Sequence, residues 1–243
     1  MDRENIIGAI VAEQEQVSTR AIAKKGARKI NKGAVYKVLK RSFDVFASLI
    51  GCIFLLPITL LVKLGNIITG DFAPVFYKTK RVGKDGKEFD FYKFRSMIRT
   101  KDGKNAEYLL DELFAEHPEL KKEWEENRKL ENDPRITKMG KIIRKTSIDE
   151  LPQLINILRG DMSVIGPRPL MPGELDEHHG SHETYESVQP GLIGWWAACG
   201  RSEVNYNERL QLEYYYINHQ SLWMDIKTFI KVALSMVTAK GAK

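Results

Sequence analysis

The sequence predicts an α+β fold, mostly α-helical: a monotopic membrane protein with a Pro-broken re-entrant helix, a small β-hairpin and interfacial amphipathic helices. Three observations predict it. An uncharged apolar run, Val45 to Val62, has lysines and arginines on both flanks. Two β-prone runs meet at Asp85-Gly86, a hairpin signal. Beyond Arg144, apolar residues recur at helical spacing and end in a segment too interrupted by charge to cross a bilayer.

Composition narrows the partners. A chain of 243 residues builds one sizeable domain or two small ones, and a formal net charge of +6 favours anionic partners. Phosphates, anionic lipids and nucleic acid all qualify. Cys52 and Cys199 supply neither a disulfide framework nor metal-ligand spacing, so a reducing compartment is the simpler expectation. The charged N-terminus has no apolar core with a cleavage site, so no signal peptide is expected.

Taken in order, the chain opens with an extension that is basic and free of acids between Gln16 and Phe43. An anionic leaflet would attract such a segment by roughly 1 kcal/mol per nearby cation, and a solvated tail is the alternative. Val45–Val62 is then just long enough to span. Lys40 and Arg41 precede it, and Lys63, Lys78, Lys80 and Arg81 follow it, so the positive-inside rule puts both ends on the cytoplasmic side. Pro57 removes a helical hydrogen bond, and a helix that dips in and returns there reconciles the charges. A plain transmembrane helix that tolerates proline is the competing reading.

The hairpin follows over residues 74–97, with its turn at Gly83–Gly86. Lys93 and Arg95 leave its second strand with the same facing, suited either to a phosphate or to solvent. From about Ala106 to Leu130 the sequence is charged and helical, interrupted by Pro118, and reads as scaffold or lid.

Arg144 to Leu170 is the chemically dense stretch. Asp149 and Glu150 precede Leu151, Leu154, Ile155 and Leu158, which share one helical face that Gly160 ends. Ser147 with Glu150 also matches a capping box, whereas Pro152 fits better if the cap is Asp149. The acid pair is therefore either a helix start or a reactive site. Gly166-Pro167-Arg168-Pro169 presents an arginine on stiff backbone, and Arg144 and Arg168 bracket the acids. A surface ion pair of Arg168 with Asp161 is the plainer alternative, at only ~0–1 kcal/mol. His178, His179 and His182 lie in a Gly-Ser loop without zinc spacing. Trp195, Trp196 and Arg201 suit stacking on a base or sugar and clamping of a diphosphate, or else anchoring at an interface. Leu222 to Val237 is amphipathic, for a membrane surface or for the domain.

Several blocks together resemble the bacterial sugar transferases, the small monotopic phosphoglycosyl transferases. They are KRSFD at 40–44, the apolar segment broken at Pro57, FYKFRSM at 91–97, SIDELPQLINILRGDMSVIGPRPL at 147–170 and GLIGWWAACGR at 191–201, in the family's order. Leu56 stands where some members carry serine. The resemblance implies a basic extension (1–40), a re-entrant membrane helix (41–64) and a catalytic domain (65–243) on the cytoplasmic face of the bacterial cell membrane. It implies transfer of a sugar 1-phosphate from a UDP-sugar to polyprenyl (undecaprenyl) phosphate, releasing UMP and starting a surface glycan. The stretch near 101–131 points to galactose or glucose.

By the same resemblance, Asp149 is the nucleophile, and Glu150 is its partner in binding Mg²⁺ or handling a proton. Lys93, Arg95, Arg144, Arg168 and Arg201 hold phosphates. Partners are then the UDP-sugar, the polyprenyl phosphate and the phospholipid membrane, with no nucleic acid and a possible homo-oligomer. A membrane-anchored basic protein that only binds lipid or nucleic acid is the alternative class. It has no need of adjacent carboxylates framed by arginines.

Overall fold

A computed structural model describes residues 33–99, 109–127, 130, 132–199 and 204–237. Its longest element is helix α1, Ala34–Ile68, which contains the whole apolar run. Pro57 lies inside it, so the proline costs the helix its bond to the Ile53 carbonyl without ending it.

One face of α1 is protein-facing from end to end. Asp44, Ser48, Leu55, Val62 and Asn66 are all buried, at spacings of whole helical turns. The other face is bare, with Phe46, Ile53, Leu56, Leu60, Leu61 and Ile68 among its large exposed apolar residues. By length and composition it is the one described helix able to cross a membrane.

The hairpin forms as expected. Strands β1 (Phe76–Val82) and β2 (Glu88–Phe94) pair in a two-stranded sheet around a 3₁₀ turn at Lys84–Gly86. Asp85 (φ 57) and Gly86 (φ 71) both take the left-handed conformation that this turn needs.

Contacts divide the described residues into two compact units. The first holds the chain up to Ile53, Lys78–Phe91 and everything from Gln153 on; the second holds Phe54–Tyr77 and Tyr92–Pro152.

In the second unit, helices α2 (Leu110–Glu116) and α3 (Pro118–Asn127) are the charged pair, and Pro118 opens the second of them, where a missing N–H costs nothing. Helix α4, Lys138–Lys145, is capped by Thr137 Oγ1, which accepts from the Gly140 N–H. A Cβ on Gly65 would stand 2.7 Å from Met139 Sδ, so a larger residue there would force the Met139 side chain to shift.

The first unit is built on helix α5, Gln153–Arg159, and on strands β3 (Ser163–Ile165) and β4 (Gly191–Ile193), which pair in parallel. Short helices α6 (Glu174–Glu177), α7 (His182–Tyr185) and α8 (Trp195–Cys199) precede the longer α9 (Tyr206–His219) and α10 (Leu222–Val237). Helix α10 buries Met224, Asp225, Thr228 and Val232. It leaves Trp223, Ile226, Phe229, Ile230 and Leu234 exposed, the amphipathic pattern of a surface-lying helix.

The KRSFD block sits in this unit with its charges turned inward. Lys40 Nζ reaches Asp225 Oδ2 at 2.9 Å and the Ile165 carbonyl at 2.8 Å. Arg41 donates to the Ile157 and Leu158 carbonyls at 2.6 and 2.8 Å, closing the C-terminal end of α5. Asp44 accepts from Ser163 Oγ and from the Val164 N–H at 3.0 and 2.8 Å. Lys40 and Arg41, counted above as membrane-flanking charges, are committed to the fold. Arg81 is as well, buried against Glu174 at 3.7 Å.

Candidate active site

The acid pair lies in the second unit, on a 3₁₀ turn at Ile148–Glu150 rather than on a helix. Ser147 before it has φ 56 and makes no side-chain cap bond, so the capping-box reading fails. Helix α5 starts only at Gln153, just after Pro152, whose missing N–H is harmless there. A left-handed residue followed by one tight turn aims both carboxyl groups out of the backbone path, free of any capping duty.

Lys93 and Arg144 supply the counter-charge. Lys93 Nζ, from the end of β2, stands 3.2 Å from Glu150 Oε1 and 3.5 Å from Asp149 Oδ2. Arg144, in the last turn of α4, is held by its Nε–H donating to Ser96 Oγ at 2.8 Å, and its charge acts on Asp149. The two acids differ in environment: the Asp149 side chain is 13% exposed and that of Glu150 41%. Burial raises the Asp149 pKa and the Glu150 charge adds to it, while Lys93 and Arg144 pull it down.

The other sequence-predicted residues go elsewhere. Arg95 is turned to Asp71 in a bidentate pair at 2.8 and 2.9 Å, and its Nε–H donates to the Pro74 carbonyl. The period-two reading that set it beside Lys93 overlooked that Arg95 lies just past the strand. Arg168 belongs to the first unit. There its N–H donates to Glu213 Oε1 at 3.0 Å, and its carbonyl accepts from the Tyr185 hydroxyl at 2.9 Å. Arg201 lies outside the described residues.

Trp195 is fully buried, so it neither anchors at an interface nor offers a stacking face to solvent. Trp196 is partly exposed and carries the Arg209 guanidinium over its ring. His182 sits between Asp176 and Glu186 at 2.8 and 2.6 Å, a surface ion-pair cluster. Among the described residues no group of three or more His, Cys, Asp and Glu could hold a metal.

Asp149 and Glu150 together are a carboxylate donor set of the kind that binds a hard divalent cation shared with a substrate. Mg²⁺ is typically held by one or two carboxylates together with the phosphates of its substrate, and this pair offers that donor set.

Sequence reasoning missed Glu213, Tyr185 and Asp71. Glu213 had a signal: a carboxyl between Leu210 and Ile217 on one helical face, where the periodicity demands an apolar residue.

One described helix is long and apolar enough to cross a membrane and has one buried and one bare face, and a carboxylate pair lies beside a lysine and an arginine. The chain belongs to the family described as bacterial sugar transferase, whose sequence profile matches residues 35–239. The undecaprenyl-phosphate galactose phosphotransferase of Salmonella typhimurium is 42% identical over 206 residues, 85% of this chain and 42% of that protein. The exopolysaccharide production protein ExoY of Sinorhizobium fredii is 38% identical over 205 residues, 84% of this chain and 88% of ExoY. A UDP-N-acetylgalactosamine-undecaprenyl-phosphate N-acetylgalactosaminephosphotransferase of Aeromonas hydrophila is 33% identical over 219 residues, 86% of this chain and 46% of that protein. The chain thus spans less than half the length of the Salmonella and Aeromonas relatives, and most of ExoY.

Proposed function

We propose that the protein transfers a sugar 1-phosphate from a UDP-sugar to polyprenyl phosphate at the cytoplasmic face of the membrane, with release of UMP. The observation that carries this reading is the acid pair at Asp149–Glu150, uncapped and neutralised by Lys93 and Arg144. The names of the Salmonella and Aeromonas relatives support the substrate classes.

In the first step, Asp149 Oδ forms a bond to the phosphorus that bears the sugar, the diphosphate P–O–P bond breaks, and UMP leaves. In the second, a phosphate oxygen of the polyprenyl acceptor attacks the same phosphorus and frees the Asp149 carboxylate. A carboxylate approaches a diphosphate only if the repulsion is offset, and Lys93 and Arg144 supply two positive charges for that. Mg²⁺ held by Asp149 and Glu150 would add Lewis-acid polarisation of the phosphoryl oxygens. Glu150, the more exposed acid, serves the ion or a proton, and Arg168 holds a phosphate. Galactose or glucose is the sugar we propose.

The membrane geometry follows from α1. Its apolar run has a bare face and carries Pro57 inside it, and basic residues precede and follow the run in the sequence. We propose that the bare face enters one leaflet and that the helix returns to the same side. The test is to incubate the purified chain in detergent or nanodiscs with Mg²⁺, polyprenyl phosphate and separate UDP-hexoses, and to measure UMP. Release that needs both substrates is expected. Its absence with every UDP-sugar would overturn the reading.

A further inference from the structure

Among the buried polar atoms of the first unit that lack a hydrogen-bond partner within the described residues are Arg168 Nε, Glu213 Oε2 and Trp195 Nε1. They share a neighbourhood. Glu213 Oε1 accepts from the Arg168 N–H at 3.0 Å, and it also stands 3.0 Å from where a Cβ on Gly194, the residue before Trp195, would lie. Glu213 is fully buried on the core face of α9. A buried polar group left unsatisfied is costly, and here an orphaned acceptor belongs to the same carboxyl that binds the backbone of an arginine with an orphaned donor.

The arginine itself is half free. Its N–H is held by Glu213, its carbonyl by the Tyr185 hydroxyl, and Pro167 and Pro169 restrict the backbone on either side. Only the side chain can move, and the residue as a whole is partly exposed.

We propose that Glu213 is a positioning residue for Arg168: one carboxyl oxygen fixes the backbone of the arginine loop, and the other is an internal acceptor that competes with a phosphate ligand for the guanidinium. This rests on the reading above, in which Arg168 holds a substrate phosphate. The charged and titratable groups around Glu213 come from every element packed on it. They are Arg168 from the loop, Arg209 from α9, the Tyr185 hydroxyl from α7 and the Cys199 thiol from α8. Lys227 and Lys231 of α10 lie over the Trp195 ring at 5.4 and 5.1 Å.

Burial pushes the Glu213 carboxyl up to about 8, against the opposing pull of the Arg168 N–H and of the Arg209 and Arg168 charges. Below that pH the carboxyl is neutral and competes weakly. As pH rises through it, Oε2 becomes anionic and draws the guanidinium inward, and phosphate binding weakens.

The experiment is the pH dependence of UMP release by the intact chain, from about pH 6 to about pH 10, for the parent, Glu213→Gln and Glu213→Leu. For the parent, KM for the UDP-sugar should rise roughly tenfold above the Glu213 titration while kcat changes less. Glu213→Gln keeps an acceptor for the Arg168 N–H and cannot ionise, so its KM should stay flat. Glu213→Leu loses the acceptor and should show a raised KM at every pH.

Pyrophosphate binding by calorimetry over the same range separates this inference from the proposed reaction. If no UDP-sugar is turned over, the reaction fails, yet the parent should still lose pyrophosphate affinity with rising pH where Glu213→Gln does not. An alkaline weakening that persists unchanged in Glu213→Gln overturns the inference. If Glu213→Leu does not fold, the glutamine variant carries the test alone.

Discussion

The acidic turn at Ile148–Glu150 and the arginine loop at Gly166–Pro169 hold opposite charges in opposite manners. Around Asp149 and Glu150 the bonds are long and few: Lys93 Nζ at 3.5 and 3.2 Å, with side-chain exposures of 13% and 41%. Around Arg168 both backbone polar groups are engaged at 3.0 and 2.9 Å, and the loop is buried but for the arginine. A group that must form and break a bond needs unspent lone pairs; a group that only holds charge gains from a fixed backbone. On this view the turn carries chemistry and the loop carries placement, and substitutions at the two should fail differently.

The largest effect is expected at the turn. Asp149→Asn keeps the size and removes the nucleophilic charge, so kcat should fall by ~10³-fold or more, and no sugar-phosphate adduct should be seen by intact mass. Thermal unfolding should change little, because Asp149 caps no helix. An asparagine variant with near-normal turnover would return the acid pair to a structural role. Arg168→Ala should cost less, ~10²-fold in kcat/KM, since one charge-stabilising donor is lost while the loop stays pinned by Glu213 and Tyr185. A large drop in melting temperature with intact activity would reverse the roles assigned to turn and loop.

Arg95 sharpens the contrast, since by sequence it belongs with Lys93 and by structure it does not. Its side chain is 5% exposed and pairs with Asp71, so Arg95→Ala strands a partly buried carboxylate and should destabilise the fold by ~3 kcal/mol. Lys93→Ala should instead lower activity and leave stability near the parent. Chemical unfolding of the two variants, read beside UMP release, checks both. Equal loss of stability would mean that Lys93 is structural too.

That pair shows what was legible. Hairpin, turn, helix-breaking Pro118, the end of α5 at Gly160 and the amphipathic last helix all follow from local rules of periodicity, turn chemistry and capping, and each appears where expected. The destination of a long cation does not follow from local rules. Lys40, Arg41 and Arg81 read as membrane-flanking charge and Arg95 as a phosphate or solvent contact, and each has a partner distant in sequence: Asp225, the end of α5, Glu174 and Asp71. The acid pair stood out in the sequence through the resemblance of its whole block to the sugar transferases, since its neighbours alone left a helix start open. Glu213 was legible only as a break in the apolar periodicity between Leu210 and Ile217, a signal that marks burial and assigns no partner.

The inward turn of Lys40 and Arg41 also changes what is expected of Pro57. With those charges inside the first unit, they hold α1 by bonds to Asp225 and to the Ile157 and Leu158 carbonyls, and no longer merely bias a topology. A Cβ on Gly51 would stand 2.6 Å from Leu154 Cδ1, so the contact with α5 continues well into the apolar run. Pro57→Leu restores a helical hydrogen bond and lets an 18-residue run of ~27 Å lie straight, near the ~30 Å of hydrocarbon. To span, however, the chain would have to strip Asp44, Ser48, Lys40 and Arg41 from the unit that buries or binds them. We therefore expect only a small spanning fraction. A cysteine at Val35, which is 72% exposed, in a background lacking Cys52 and Cys199, reports it through labelling from the periplasm. The proline parent should label only after the membrane is opened, and Pro57→Leu should add a minor periplasmic population. Full labelling of the parent would mean that α1 crosses the bilayer, and the re-entrant reading would fall.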